Sequence, residues 1–292
     1  MRYLFSIVIV ASSIALTHSA IADNAVPQVP NDDIFGFTSP TDIGNAGDTS
    51  FANENDGRSG KRAGRYRALD SKFEFSRTLP GDWWIAGSFF SAYNRAQNVP
   101  DLMNVDNLAF DGLSFEIERR ILARSVNNPF AASISVEPRW GRIDPVSGRL
   151  SNSFGAAFKL FVDAVVLPEK LFWAANLMWA PQNAQNPDNR DQWMASSSTL
   201  ASTAFTFQIS SQFFAGVEAR YWSAYASAWP THNLGNAFYL GPTVLWKVTD
   251  KISLNTTFQP QVFGRSKLSP GQNLDLDNFE RAQFRAKLAI AL

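Results

Sequence analysis

The chain closes on FERAQFRAKLAIAL, residues 279–292, in which Phe284, Ala286, Leu288, Ile290 and Leu292 alternate with Arg285, Lys287, Ala289 and Ala291. A period of two sends successive side chains to opposite faces of a β-strand. One face is therefore apolar, while the other carries Arg281, Arg285 and Lys287. A strand of an aqueous β-sandwich can alternate in the same way. Such a sandwich does not easily supply a chain that ends on its apolar residue after a run of similar strands.

Upstream, eleven segments in all read as strands: 65–79, 83–93, 108–122, 130–140, 154–167, 171–180, 193–209, 213–223, 237–248, 252–263 and 274–292. In the first, Leu69, Phe73 and Phe75 oppose Asp70, Lys72, Glu74 and Ser76; in the third, Leu113, Phe115 and Ile117 oppose Ser114, Glu116 and Glu118. Short connections at 80–82, 127–129, 168–170, 210–212 and 249–251 alternate strictly with longer polar ones. Helical and α/β chains do not produce this rhythm, and no amphipathic helix competes with it.

An up-and-down sheet with alternating short turns and long loops is the layout of a closed barrel, in which bacterial single-chain examples have even strand numbers. The turn at 80–82 is short, so 65–79 runs toward the periplasmic rim and another strand must precede it. The candidate is 48–55, whose main apolar residue is Phe51, followed by a Gly-rich loop at 56–60. The expected fold is all-β: a transmembrane antiparallel up-and-down β-barrel of about twelve strands over residues 47–292, closed by pairing of the last strand with the one near Phe51.

Aromatic residues support a lipid surround. Trp83, Phe130, Trp173, Phe213 and Trp246 lie near the short turns, and Tyr93, Trp140, Trp179, Trp193, Tyr221 and Phe263 near the long loops. Two belts fit two headgroup levels, whereas a sandwich would gather its tryptophans in one core. Closure also pairs every backbone group, as hydrocarbon requires. Pro138, Pro242 and Pro260 fall inside proposed strands, where each removes a ladder hydrogen bond, so local irregularities are expected there.

The start of the chain reads as an export signal: Arg2, an apolar run over 3–16, and Ala20-Ile21-Ala22 before Asp23 predict a signal peptide of residues 1–22. The apolar run is shorter than the roughly 20 residues of a spanning helix. Residues 23–46 are rich in Pro, Asn and Gly and read as a periplasmic leader. Within them Ile34-Phe35-Gly36-Phe37 is apolar enough to serve as a small plug in a barrel mouth; a loosely packed tail is the other reading.

Twenty-six basic and 26 acidic residues leave no net charge, which argues against a nucleic-acid partner. Without cysteine there is neither a disulfide framework nor a thiolate metal site. No phosphate loop, nucleotide fingerprint or histidine cluster occurs, so no cofactor, metal site or catalytic residue is assigned. After the signal, His232 is the only histidine. It shares a loop with Ser227 and follows Ser223, the remote basis for an outer-membrane lipid hydrolase.

If apolar faces meet lipid, the opposite faces line the lumen. They supply Lys72, Glu74, Glu116, Glu118, Arg120, Glu137, Arg139, Lys159, Asp163, Glu218, Arg220, Arg281, Arg285 and Lys287. Both signs are present, and cross-strand ion pairs are within reach among the neighbours Glu116, Glu118, Glu137, Arg139, Lys159 and Asp163. A polar stripe, Asn255, Thr257, Gln259 and Gln261, adds uncharged hydrogen-bonding groups. About twelve strands lies between filled eight-stranded barrels and open porins, so a narrow pore is expected.

In size, hairpin layout and closing strand the chain resembles Gram-negative outer-membrane barrels of the broad transporter or porin-like type, including the group associated with phenol-degradation meta pathways. That resemblance implies a non-enzymatic channel for passive passage of small solutes, embedded in outer-membrane lipid and inserted by the barrel-assembly machinery. The competing expectation is a non-conducting structural or adhesion barrel that presents its surface loops to partners.

Overall fold

The computed structural model describes Val26, Gln28, Val29 and residues 33–292. The expected signal peptide and most of the leader before residue 33 lie outside the described residues. Twelve strands follow in order: β1 Thr49–Ser59, β2 Arg65–Leu79, β3 Trp83–Gln97, β4 Val105–Leu122, β5 Phe130–Ile143, β6 Leu150–Leu167, β7 Leu171–Gln185, β8 Trp193–Gln208, β9 Phe213–Tyr225, β10 Asn233–Lys247, β11 Ile252–Ser266 and β12 Ala282–Ala291. Each pairs antiparallel with its sequence neighbours, and β12 pairs with β1, so the sheet closes into a barrel. There is no helix among the described residues.

The closing seam is the predicted one. Phe51 stands opposite Ile290 and Asn53 opposite Leu288, and the Leu292 N–H donates to the Thr49 carbonyl. Strand β1 is longer than its apolar content suggested, because its polar side chains find partners across the wall. The Arg285 guanidinium donates to Asp56 at 2.7 Å and lies 2.9 Å from Glu54, and Arg58 reaches Asp70 at 2.9 Å. Tertiary pairing thus overrides a weak local propensity. Gly57 meets a different need: a Cβ there would lie 1.6 Å from a ring carbon of Phe284, so only glycine leaves room for this ring at the seam.

Turn-side strand ends fall within one residue of expectation. Outer ends mostly run further: β3 reaches Gln97, β6 begins at Leu150, β7 ends at Gln185 and β10 begins at Asn233. These extensions are polar and lack alternation, since the ladder continues where neither face meets an apolar surround. The reverse correction applies to the last strand, which begins at Ala282; residues 274–281, expected as strand, form part of a long loop.

The proline positions interrupt ladders without unseating their strands. Around Pro138 the β4–β5 pairing skips from Ser114 opposite Arg139 to Ile117 opposite Val136. Pro242 and Pro260 share one gap, between Tyr239 opposite Gln261 and Thr243 opposite Thr257. Pro181, expected in a loop, lies inside β7, and the β6–β7 ladder skips beside it. Each gap absorbs the missing N–H donor.

Outward side chains form an apolar band, with Leu113, Phe115, Ile134, Leu177, Phe205, Val217 and Phe258 all exposed. Aromatic pairs bracket it. Phe130 with Trp173 and Phe213 with Trp246 lie toward the turns, and Phe154 with Trp193 and Trp179 with Trp229 toward the loops. A contiguous apolar girdle of this extent is incompatible with water and fits hydrocarbon between two headgroup levels.

Candidate functional site: the barrel lumen

Antiparallel pairing fixes which side chains share the lumen. Lys72 sits 2.5 Å from Glu74 and 3.9 Å from Glu137, and Lys159 reaches Glu116 at 2.9 Å and Glu137 at 2.6 Å, so β2, β4, β5 and β6 join in one lattice. Seryl hydroxyls complete it: Ser133 donates to Glu118, Ser135 to Glu116 and Ser114 to Glu137, at 2.6–2.7 Å. Arg139 pairs with Asp111 at 2.5 Å and covers the Phe90 ring. Charge-assisted contacts of this kind hold a wall rigid.

Two candidates stand at the rims. Arg120 pairs with Asp82 at the turn end, 2.5 Å away. Arg281 lies beyond β12 in the outer loop and is exposed, so it does not line the inner wall as a strand residue. The remaining candidates, Asp163, Glu218, Arg220, Arg285 and Lys287, meet a segment that the strand pattern left unplaced.

Residues 33–43 lie inside the barrel. Ile34 and Phe35 are fully buried against Val165, Phe172, Phe214 and Leu245, an apolar cluster on the inward faces of β6, β7, β9 and β10. Burying these two side chains contributes about 1.5–3 kcal/mol each. Asn255 donates to the Asp33 and Phe35 carbonyls at 2.7 and 2.9 Å, and Lys287 lies 2.5 Å from Asp33. Glu218 accepts from the Phe37 N–H at 2.8 Å and the Thr38 hydroxyl at 2.5 Å. Asp163 accepts from the Thr41 N–H at 2.6 Å and pairs with Arg124. The Phe37 ring is clamped between Arg220 and Arg285, whose guanidinium carbons lie 3.4 and 4.4 Å from its centroid.

The polar stripe on β11 faces inward but is consumed by internal contacts. Asn255 holds the inner segment, Gln259 binds Arg220 and Glu218, and Gln261 donates to the Asp275 carbonyl. All four stripe residues are buried, and none borders the open space of the lumen.

The loop between β11 and β12 folds into the outer mouth. Phe279 packs on Ala237 and Tyr239, the Tyr239 hydroxyl donates to the Glu280 carbonyl, and Lys61 donates to the Phe279 carbonyl. Burial alone would raise the Glu280 pKa, but Arg58 and Lys61, 3.3 and 3.4 Å away, hold it below its ordinary value. Burial raises Asp275, and the hydrogen bonds from Asn278 and the Asp277 N–H only partly offset it.

Between these two inserts one cavity of about 920 Å³ remains. Pro145, Val146, Tyr225 and Leu234 border it near the outer rim, and Asp250, Lys251 and Ala291 near the inner rim. Sequence reasoning missed Glu54, Asp56 and Arg58 on this wall, although their i, i+2, i+4 spacing is that of one strand face. It also missed Asp70 and Asp111, and the pair Lys61 and Glu280, which only the loops' inward fold brings together. In the His232 region Ser227 donates to the Trp229 carbonyl and lies 3.0 Å from the Thr231 hydroxyl, which is 3.3 Å from the imidazole Nδ1.

Residues 27–292 match the family described as "Family of unknown function (DUF6662)". The chain belongs to the DUF6662 family. Among solved structures, this DUF6662 chain is similar to the COG4313 outer membrane channel from Pseudomonas putida F1, with a TM-score of 0.60 at 10% identity over 87% of this chain and 99% of that one. Weaker likenesses are to the KdgM porin in complex with disordered oligogalacturonate, with a TM-score of 0.46 at 9% identity over 83% and 99% of the two chains, and to the toluene transporter TodX of Pseudomonas putida, 0.38 at 8% over 85% and 89%. No curated protein matches the sequence. At this identity the likeness to the first channel is one of fold: a closed antiparallel barrel of the outer-membrane type.

Proposed function

We propose that this DUF6662 protein is an outer-membrane channel that lets small solutes pass by diffusion. The observation that carries this reading is a cavity among the described residues, bordered by residues of both rims, which persists with residues 33–43 and 275–280 seated in the lumen. Its walls are charged and rigidly paired, as suits a hydrated path, and its outer surface is apolar, as suits lipid. Residues 33–43 act as a small inner plug that narrows the path. The charged walls perform no chemistry on the solute; they replace part of its hydration and set which charge enters. The fold also implies insertion by the barrel-assembly machinery.

Planar-bilayer conductance of the refolded protein tests the reading. Discrete ohmic steps, with flux of small solutes into proteoliposomes, are the expected result. A folded, inserted barrel that gives neither current nor flux overturns it and favours a structural barrel acting through its loops.

A further inference from the structure

We infer that the passage selects small organic cations that also carry a hydroxyl or carbonyl oxygen. This rests on the channel reading and names its substrate class. The chain as a whole is charge-balanced, but the cavity is not: 12 acidic and 8 basic residues border it. The surplus has a structural origin. Glu74, Glu116, Glu118 and Glu137 share two lysines, Lys72 and Lys159. Glu118 is held by the Ser133 hydroxyl at 2.6 Å and, among the described residues, enters no ion pair with a lysine or arginine. Glu54 and Asp56 likewise share Arg285. Arg220 does not restore the balance, because it is turned toward Gln259, Gln283 and the Phe37 ring. Fixed negative charge beside a narrow path enriches cations and repels anions.

The second observation is independent of charge. Strands β7 and β8, across the barrel from β1 and β2, contribute no charged residue to the cavity; they present Met178, Ala180 and Leu200, beside Trp222 of β9. One polar atom on this wall, Trp222 Nε1, has no hydrogen-bond partner among the described residues. Buried donors without partners are costly, and native structures rarely keep them idle. A solute spanning the cavity places its ammonium toward the acidic wall and its methylenes on Met178 and Leu200. Its oxygen then accepts from the Trp222 N–H. An inorganic cation satisfies only the first wall, and an anion neither.

The test uses the full chain in planar bilayers at mildly alkaline pH, with choline as the probe and acetate as its anionic counterpart. In a KCl gradient the reversal potential should have the cation sign, and it should move toward zero in Glu118→Gln and further in Glu118→Lys. Choline should block the K⁺ current reversibly, whereas acetate should not. Trp222→Phe, which keeps an aromatic face and removes the N–H, should weaken that block about fivefold while the barrel stays folded and heat-resistant. A conducting channel with zero or anion-sign reversal potential overturns the inference and leaves the channel reading standing. So does a choline block identical in Trp222→Phe. Absence of all current in a folded barrel defeats the channel reading itself.

Discussion

Replacing Asn255 with Ala probes how the inner segment is seated. The Asn255 amide donates to the carbonyls of Asp33 and Phe35, both within the lumen, while its own Cβ belongs to the barrel wall. Removing a donor from a buried carbonyl costs about 1–3 kcal/mol, so the substitution weakens docking around residues 33–36 by about 2–6 kcal/mol. At about 1.4 kcal/mol per decade, this is roughly 30-fold to 10⁴-fold in the ratio of seated to unseated segment. Residues 37–43 keep their contacts to Glu218 and Asp163, so the loosening stays local. Hydrogen exchange of the refolded barrel, read on peptides spanning 33–43, should show protection falling at the start of the segment while strand peptides are unaffected. Single-channel conductance should rise and grow noisier, because the inner end of the path widens. Unchanged protection over 33–37, or an equal loss across the strands, would refute the reasoning.

Four further outcomes follow from the same contacts. A carboxylate whose pKa is depressed in the fold contributes stability present above its unfolded value, about 4.3, and lost as pH falls through the folded one. Glu280 is such a group, so protease resistance of the 275–281 loop should hold through neutral and mildly acidic pH and fail below that range, with the step abolished in Glu280→Gln. Gly57→Val should drive the Phe284 ring off the seam and reduce the yield of closed barrel, measured as the fraction that keeps its folded mobility on unheated gels. The Thr38 and Ser202 hydroxyls lie 2.9 Å apart, and the native chain has no cysteine. Oxidising Thr38→Cys with Ser202→Cys should therefore lock the segment in place and leave small-ion conductance intact, because the cavity passes beside it; loss of current on oxidation would mean that the segment must leave for conduction. His232→Ala should change neither assembly nor conductance, since the imidazole is exposed and its one hydrogen-bond contact among the described residues is to Thr231.

The barrel was legible from residue alternation and turn spacing because an apolar surround imposes a rule on every strand separately. Leu113, Phe115 and Ile117 must face one way whatever their neighbours do, and Pro80-Gly81-Asp82 ends a strand by its own backbone preferences. Parity then demanded the weak strand near Phe51, and closure paired it with residues 282–291. The inward charges of β2, β4, β5, β6 and β9 followed from the same alternation, whereas the fate of the polar stripe on β11 did not.

Which polar groups remain available to a solute depends on distances across the lumen between residues far apart in sequence. Asn255 meets Asp33 and Phe35, Glu218 meets Phe37 and Thr38, and Glu280 meets Lys61 and Arg58. Phe172, Phe214 and Leu245 point inward, against the apolar-outside rule, because Ile34 and Phe35 fill that end of the barrel. By itself the sequence determined the wall, since the wall answers to local periodicity in a uniform surround. Only the tertiary structure decided what the wall encloses, because the filling depends on which segments enter and which charges they leave unpaired.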